Sequence, residues 1–316
     1  MRKLSVFFLI SVFIVFIIQF QNCARIQTES ILVFKRVTII NCTGAPAQAN
    51  MTVVIKGNHI YTLGKADKVK VDKNAQVVDA TGKYLIPGLW DMHVHTGGKD
   101  IFFPLYIANG ITGIRDMGGD LARATGMASL SLDSLNKWKE DIKQGTLTGP
   151  RIVATGPLID GPEPFWPGVS TPVGSEAEVR DLVKTLKLRG ADFIKVYETL
   201  TREMYYAIAD ESKKNQLPFA GHVPDSVIAV EVSNTGQNWV TAAEVSNAGQ
   251  VSIEHLDGIY NSNSKKSLSD LYALFRSNGT WQVPTLAVFR DFVRNDDSFL
   301  NDYRLKYIPE HIKEIW

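Results

Sequence analysis

The order of apolar and polar positions changes character near residue 82. Before it lie short β-rich runs: Ile31-Leu32-Val33-Phe34, Val37-Thr38-Ile39-Ile40, Met51-Thr52-Val53-Val54-Ile55 and His59-Ile60-Tyr61-Thr62-Leu63. Gly57-Asn58, Gly64 and Asp79-Ala80-Thr81-Gly82 punctuate them. Residues 30–82 therefore read as a small β-sheet domain. Beyond it, continuous apolar runs alternate with helical segments. The runs are Tyr84–His95, Gly110–Met117, Arg151–Ile159, Asp192–Tyr197, Pro218–Val223, Val251–Leu256 and Trp281–Val288. Such runs predict an α/β unit over 83–316, with a seven-stranded parallel sheet covered on both faces. The helix after the third run is well marked. Ser175 and Glu178 make a capping-box pattern, Val179, Leu182, Val183 and Leu186 a buried stripe, and Gly190 a C-terminal cap. Another helix is predicted from Leu268 to Ser277, with Gly279 just beyond.

Two segments stand apart from this alternation. Arg2 and Lys3 precede an apolar run from Leu4 to Ile18, too short for a membrane span and suited to a secretory leader over residues 1–22. Cys23 follows, as a lipidated cysteine would, although Phe20-Gln21-Asn22 is a poor lipobox. The expectation is an exported protein of the periplasm or cell envelope, touching the membrane only through that leader or a lipid on Cys23. Residues 229–241 and 242–254 form a tandem repeat matching at seven of thirteen positions, each copy a short helix ending at Gly236 or Gly249. An outward-looping insertion of this kind costs little closure entropy.

Composition narrows the class. With 316 residues and 45% hydrophobic content the chain can bury a large core, which excludes a disordered or fibrous protein. Lys and Arg total 34 against 33 Asp and Glu, a balance that argues against a nucleic-acid binder. Two cysteines are too few for a disulfide scaffold or a cysteine-built zinc site.

Candidate chemistry lies in the histidines. His93 and His95 end the first parallel run at i and i+2, so both rings face one side. His222 ends the fifth run and His255 the sixth. Four imidazoles at the C-terminal ends of three strands would converge at the mouth of a (β/α)8 barrel, where active sites lie. They suit zinc or a similar divalent ion. Lys195 sits inside the apolar Phe193-Ile194-Lys195-Val196-Tyr197. Burying a lone ammonium there is costly and lowers its pKa, and a neutral amine can take up carbon dioxide as a carbamate that bridges two ions. The alternative pairs Lys195 with a carboxylate such as Asp116, leaving a site for one ion. Tyr197 faces the same side as Lys195 and is a candidate substrate contact; a core tyrosine is the plainer reading. Asp116 orients a ligand or closes a turn, and His59 and His311 read as surface residues.

The stretch Ile86-Pro87-Gly88-Leu89-Trp90-Asp91-Met92-His93-Val94-His95 resembles the first-strand motif of the amidohydrolase superfamily. Gly110–Gly119, Gly190–Tyr197, Ala220–Pro224 and Ser252–Gly258 resemble its branch near imidazolonepropionases and exported Xaa-Pro-type dipeptidases. The resemblance implies a TIM barrel of the amidohydrolase type with a small composite β-sheet domain. It implies two divalent ions, zinc in the usual case. His93 and His95 would hold one, His222 and His255 the other, and carboxylated Lys195 would bridge them. The activity implied is hydrolysis of a C–N bond in a small amide, cyclic amide or dipeptide. The family also places a proton-shuttling aspartate at the end of an eighth strand. Here Asp291, Asp296, Asp297 and Asp302 lie in a polar, helix-like tail, so the barrel is expected to be incomplete and that aspartate absent. The alternative function is therefore a truncated, inactive remnant or binding module of the same fold.

Overall fold

The computed structural model describes residues 30–118, 131–224, 240–259, 267–293 and 302–313. The leader, Cys23 and the first copy of the repeat up to residue 239 lie outside them. The chain divides into two compact units between Pro87 and Gly88.

The first unit is a sheet of β1 (Ile31–Ile39), β2 (Gln48–Lys56), β3 (His59–Lys65), β4 (Gln76–Asp79) and β5 (Tyr84–Leu85). Its order is β3-β2-β1-β4, with β5 also on β1. The two strands expected at 31–34 and 37–40 are one. β1 absorbs the break as a bulge, with a register slip between Phe34 and Val37 and Arg36 at φ 60°. The Arg36 Nε donates to Thr81 Oγ1 at 2.8 Å, and its guanidinium pairs with Asp79. Val37, Met51, Val53 and Ala80 form this unit's small core. The expected run Tyr84–His95 also divides, because Tyr84 and Leu85 pair with Thr38 and Ile39 of β1.

The second unit alternates strands and helices. In order they are β6 (Leu89–Val94), α1 (Lys99–Ala108), β7 (Ile111–Asp116), α2 (Leu132–Lys143), β8 (Arg151–Ala154), β9 (Leu158–Asp160), β10 (Ser170–Pro172), α3 (Glu176–Leu188), β11 (Ile194–Val196), α4 (Arg202–Lys214), β12 (Phe219–Gly221), α5 (Ala242–Asn247), β13 (Ser252–Glu254), α6 (Leu268–Asn278), β14 (Trp281–Val283) and α7 (Leu286–Val293). All pairings are parallel, in sheets β6-β7-β8 and β10-β9-β11-β12-β13-β14. β8 and β9 are the two halves of the expected third strand, parted at Thr155-Gly156-Pro157 with Gly156 at φ 92°. One bent segment thus belongs to both sheets. Asp192 closes the break: its N–H donates to Ala154 O, and its carboxylate accepts from Ala154 N, both at 2.8 Å. β6 and β14 are each paired on one side only, and no further parallel strand follows β14 among the described residues. This is an open, incomplete barrel. Residues 286–288, expected to finish the seventh strand, instead begin α7 after Thr285 turns the backbone at φ 45°.

The strand alternation sorts side chains into two layers. Ile114, Ile152, Ile194, Val196 and Ile253 pack outward against Val179, Val183, Leu186, Leu271 and Phe275 of the helices. Each fully buried aliphatic side chain contributes roughly 1.5–3 kcal/mol. Met117, Phe193 and Ala220 cluster separately. α3 begins where expected, with the Ser175 side chain accepting from Glu178 N. The Glu178 carboxylate reaches Gly174 N at 2.8 Å rather than the cap's own N–H. The second repeat copy forms α5, with a capping box between Thr241 and Glu244 and Gly249 at φ 92°.

Candidate active site

Four imidazole rings lie side by side at the C-terminal ends of β6, β12 and β13. The ring centroids of His95 and His93 are 5.3 Å apart, those of His93 and His255 4.6 Å, and those of His255 and His222 4.8 Å. Tyr197 extends the row, 4.5 Å from His222. The four expected site histidines and Tyr197 are thus brought together, and Lys195 joins them. His59, at the start of β3, is exposed, and His311 lies in a short terminal helix, α8 (Glu310–Lys313).

In each histidine the Nδ1 is engaged, which leaves Nε2 for other work. His93 Nδ1 lies 2.7 Å from Glu254 Oε2, His95 Nδ1 2.6 Å from Gly118 O, and His255 Nδ1 2.7 Å from Thr285 Oγ1. His222 Nδ1 meets the Glu198 carboxylate and stands 3.1 Å from Asp257 Oδ2. A carbonyl or carboxylate at one ring nitrogen, with the other turned inward, is the arrangement of metal-binding imidazoles. Desolvation favours the neutral form of all four. It brings His93 down to about 3 and His255 to about 4, and lowers His95 and His222 as well, with the Lys195 charge adding to each.

Lys195 is fully buried on β11, and its Nζ has no hydrogen-bond partner among the described residues. Its amine stands 5.8 Å from the centre of the Tyr197 ring. Burial lowers it from 10.5 to about 8, against the pull of Glu254 and Asp257. The pairing with Asp116 does not form. Asp116 instead closes a turn, accepting from Thr96 N at 2.8 Å and Gly118 N at 2.9 Å. That turn presents the Gly118 carbonyl to His95, so Asp116 acts on a candidate ligand at one remove.

Sequence reasoning missed the carboxylates. Glu254 is fully buried between His93 and Arg115. Burial alone would raise its carboxyl, but the His93 hydrogen bond and the Arg115 and Lys195 charges bring it to about 2. A charged residue inside an apolar strand was the signal that singled out Lys195, and Arg115 and Glu254 carry the same signal. Glu198, His222 and Asp257 offer ligand atoms within 4.8 Å of one another, a group able to hold an ion. Two carboxylates at one Nδ1 fit equally a hydrogen-bonded imidazole that keeps Nε2 free. Tyr197 packs with Leu158 and Val169, and Phe165 stands 6.2 Å from its ring, half exposed. Asp160 holds that loop by accepting from Phe165 N at 2.9 Å and Thr199 N at 2.7 Å.

No family model matches the chain. Over 46 residues, 15% of its length, it is 44% identical to a dihydroorotase of Clostridioides difficile (strain 630), a stretch that spans 10% of that protein. Several solved structures share the fold. A protein assigned as a prolidase from Bifidobacterium longum has a TM-score of 0.63 at 20% identity, covering 91% of this chain and 68% of that one. A Xaa-Pro dipeptidase with methionine bound in its active site has a TM-score of 0.60 at 20% identity, over 90% of this chain and 73% of that one. For A. niger ochratoxinase the TM-score is 0.58 at 19% identity, over 84% of this chain and 66% of that one.

Proposed function

We propose that this chain, whose fold is that of the amidohydrolase superfamily, is a metal-dependent hydrolase of a C–N bond in a small amide, cyclic amide or dipeptide. One observation carries the reading: Lys195, a fully buried amine without a hydrogen-bond partner among the described residues, lies amid four imidazoles whose Nδ1 atoms are all occupied. A buried polar atom left unpaired is costly unless a further group completes it.

The residues fit a divalent-ion centre. His93, His95, His222 and His255 would hold ions through Nε2, and zinc suits an all-imidazole set with an anionic oxygen ligand. Lys195 would supply that ligand as a carbamate, formed when its neutral amine adds to carbon dioxide and loses a proton. Divalent ions at that place supply Lewis acidity towards a carbonyl and towards water. The chain's own residues do the rest. Asp116 and Gly118 fix the His95 ring, Glu198 and Asp257 fix that of His222, and Tyr197 with Phe165 offers an aromatic wall for the substrate. Burial pushes the Tyr197 hydroxyl up, so it stays a neutral donor at any working pH.

The test is metal analysis of the purified protein together with hydrolysis of a panel of amides, cyclic amides and dipeptides. Two equivalents of zinc and turnover of a panel member support the proposal. Less than one equivalent with no turnover sinks it and favours a binding module on the same fold. For residues 1–22 we infer a leader that exports the chain. Cell fractionation of the native protein and of Cys23→Ala tests export and the lipid anchor separately.

A further inference from the structure

A chain of buried polar contacts crosses the barrel interior from the sixth parallel strand to the first two. Ser252 and Glu254 occupy i and i+2 of β13 and share its inner face. Glu254 Oε1 accepts from Arg115 Nη2 at 2.6 Å and from Ser252 Oγ at 2.6 Å, while Oε2 lies 2.7 Å from His93 Nδ1. Arg115, on β7, is locked in turn by Met92 O at 2.7 Å and Ser252 Oγ at 2.8 Å. Every member but the exposed backbone partner Met92 is shielded from solvent, and the His93 and Glu254 side chains are 7% and 0% exposed.

We infer that Glu254, oriented by Arg115 and Ser252, is a positioning residue that sets the tautomer of His93. A neutral histidine in water favours the proton on Nε2. An anion at Nδ1 reverses that preference, and Nε2 becomes a bare lone pair aimed into the site. Arg115 gives the switch its direction. A guanidinium only donates, so it must meet an oxygen, and the Glu254 oxygen left over must face His93. The inference rests on His93 acting as a ligand through Nε2. A purely structural role, fastening β13 to β6 and β7, is the competing account.

The isosteric Glu254→Gln separates the two. Its amide has one oxygen, which Arg115 and Ser252 claim. The amide nitrogen then faces His93 and donates to Nδ1, which forces the proton onto Nε2. The probe is two-bond 15N–1H correlation NMR of protein labelled in its six histidines, metal-free at neutral pH, with His93→Asn assigning the signals. His93 should carry its proton on Nδ1 in the native chain and on Nε2 in Glu254→Gln. Zinc affinity should fall by about 10–100-fold in the variant. A native His93 protonated on Nε2 overturns the inference whether or not the variant folds. So does a folded Glu254→Gln with native tautomer and native zinc affinity. A native chain that shows the expected tautomer but binds no zinc defeats the metal reading and the ligand role of His93, and leaves only the setting of its tautomer by Glu254 standing.

Discussion

Lys195 is the residue whose environment makes the sharpest demand. Its folded-state value of about 8 lies below the 10.5 of an unfolded lysine. Below pH 8 both states hold the proton and the burial penalty is complete. Between 8 and 10.5 only the unfolded state does, so the stability of the metal-free protein rises with pH through that window. At 1.4 kcal/mol per unit the penalty is on the order of 3 kcal/mol. Lys195→Met should remove it: urea denaturation with chelator should find the variant more stable at pH 7.5 and the two proteins converging near pH 10.5. Equal pH slopes would show that the amine is not buried as described. The same variant should lose the second metal ion. Tyr197→Phe should leave the metal content alone and raise KM roughly two- to tenfold, the worth of one hydrogen bond. An unchanged KM would make Tyr197 a packing residue only.

At the scale of elements, strand ends aim the site. Gly221 closes β12 at φ 143°, and a Cβ there would lie 2.1 Å from Val196 O, the carbonyl that also takes the His222 N–H at 3.2 Å. Gly221→Ala must push β12 from β11 and carry His222 with it. The expected cost is about 1–3 kcal/mol, with loss of any ion that His222 would hold, read by denaturation and metal analysis together. Ser175→Ala is the contrasting case. It removes the cap of α3, at the helix end opposite to the one that leads into β11, and should cost about 1 kcal/mol with metal content intact. His255 depends on an element's end in another way. It follows the inward-facing Glu254 by a single residue, so a regular strand would turn it outward. His255 and Leu256 instead adopt φ 58° and 61°, which swings the imidazole back beside His93. Left-handed backbone in non-glycine residues is strained and persists where its surroundings hold it; here Thr285 Oγ1 does so from the neighbouring strand's end.

For the whole molecule, the site is made of residues far apart in sequence and held on two parallel sheets that share the bent β8–β9 segment, so a metal bound there would stabilise the barrel. Zinc at 100 times its Kd should stabilise the protein by about 2.7 kcal/mol. For a unit of this size that is a rise in Tm of roughly 5–10 °C. Differential scanning calorimetry with zinc and with chelator checks it, and superimposable traces would speak against a metal centre. The open edges at β6 and β14 leave Leu89, Trp90 and Trp281 partly exposed, an apolar rim unusual for a finished barrel.

Much of this was legible in the chain itself. The parallel α/β class, seven of the strands and the capped helix at 176–188 follow from apolar periodicity and terminal residues, because burial on both faces and unpaired helix ends constrain local sequence directly. His93, His95, Lys195 and His222 were legible because alternation along a strand dictates which side chains share a face. Other features were decided only by tertiary structure. The bulge that fuses two expected strands into β1, the division of the third strand between two sheets and the helix at 286 depend on which neighbour supplies the hydrogen bonds. The inward turn of His255 depends on positive φ angles, and the Arg115–Glu254–His93 contacts on strands more than 130 residues apart meeting across one interior. Sequence specifies which groups are available and which way a regular strand would point them. Only the folded interior settles which of them must share a proton or a carbonyl, since that follows from desolvation and distance rather than from order along the chain.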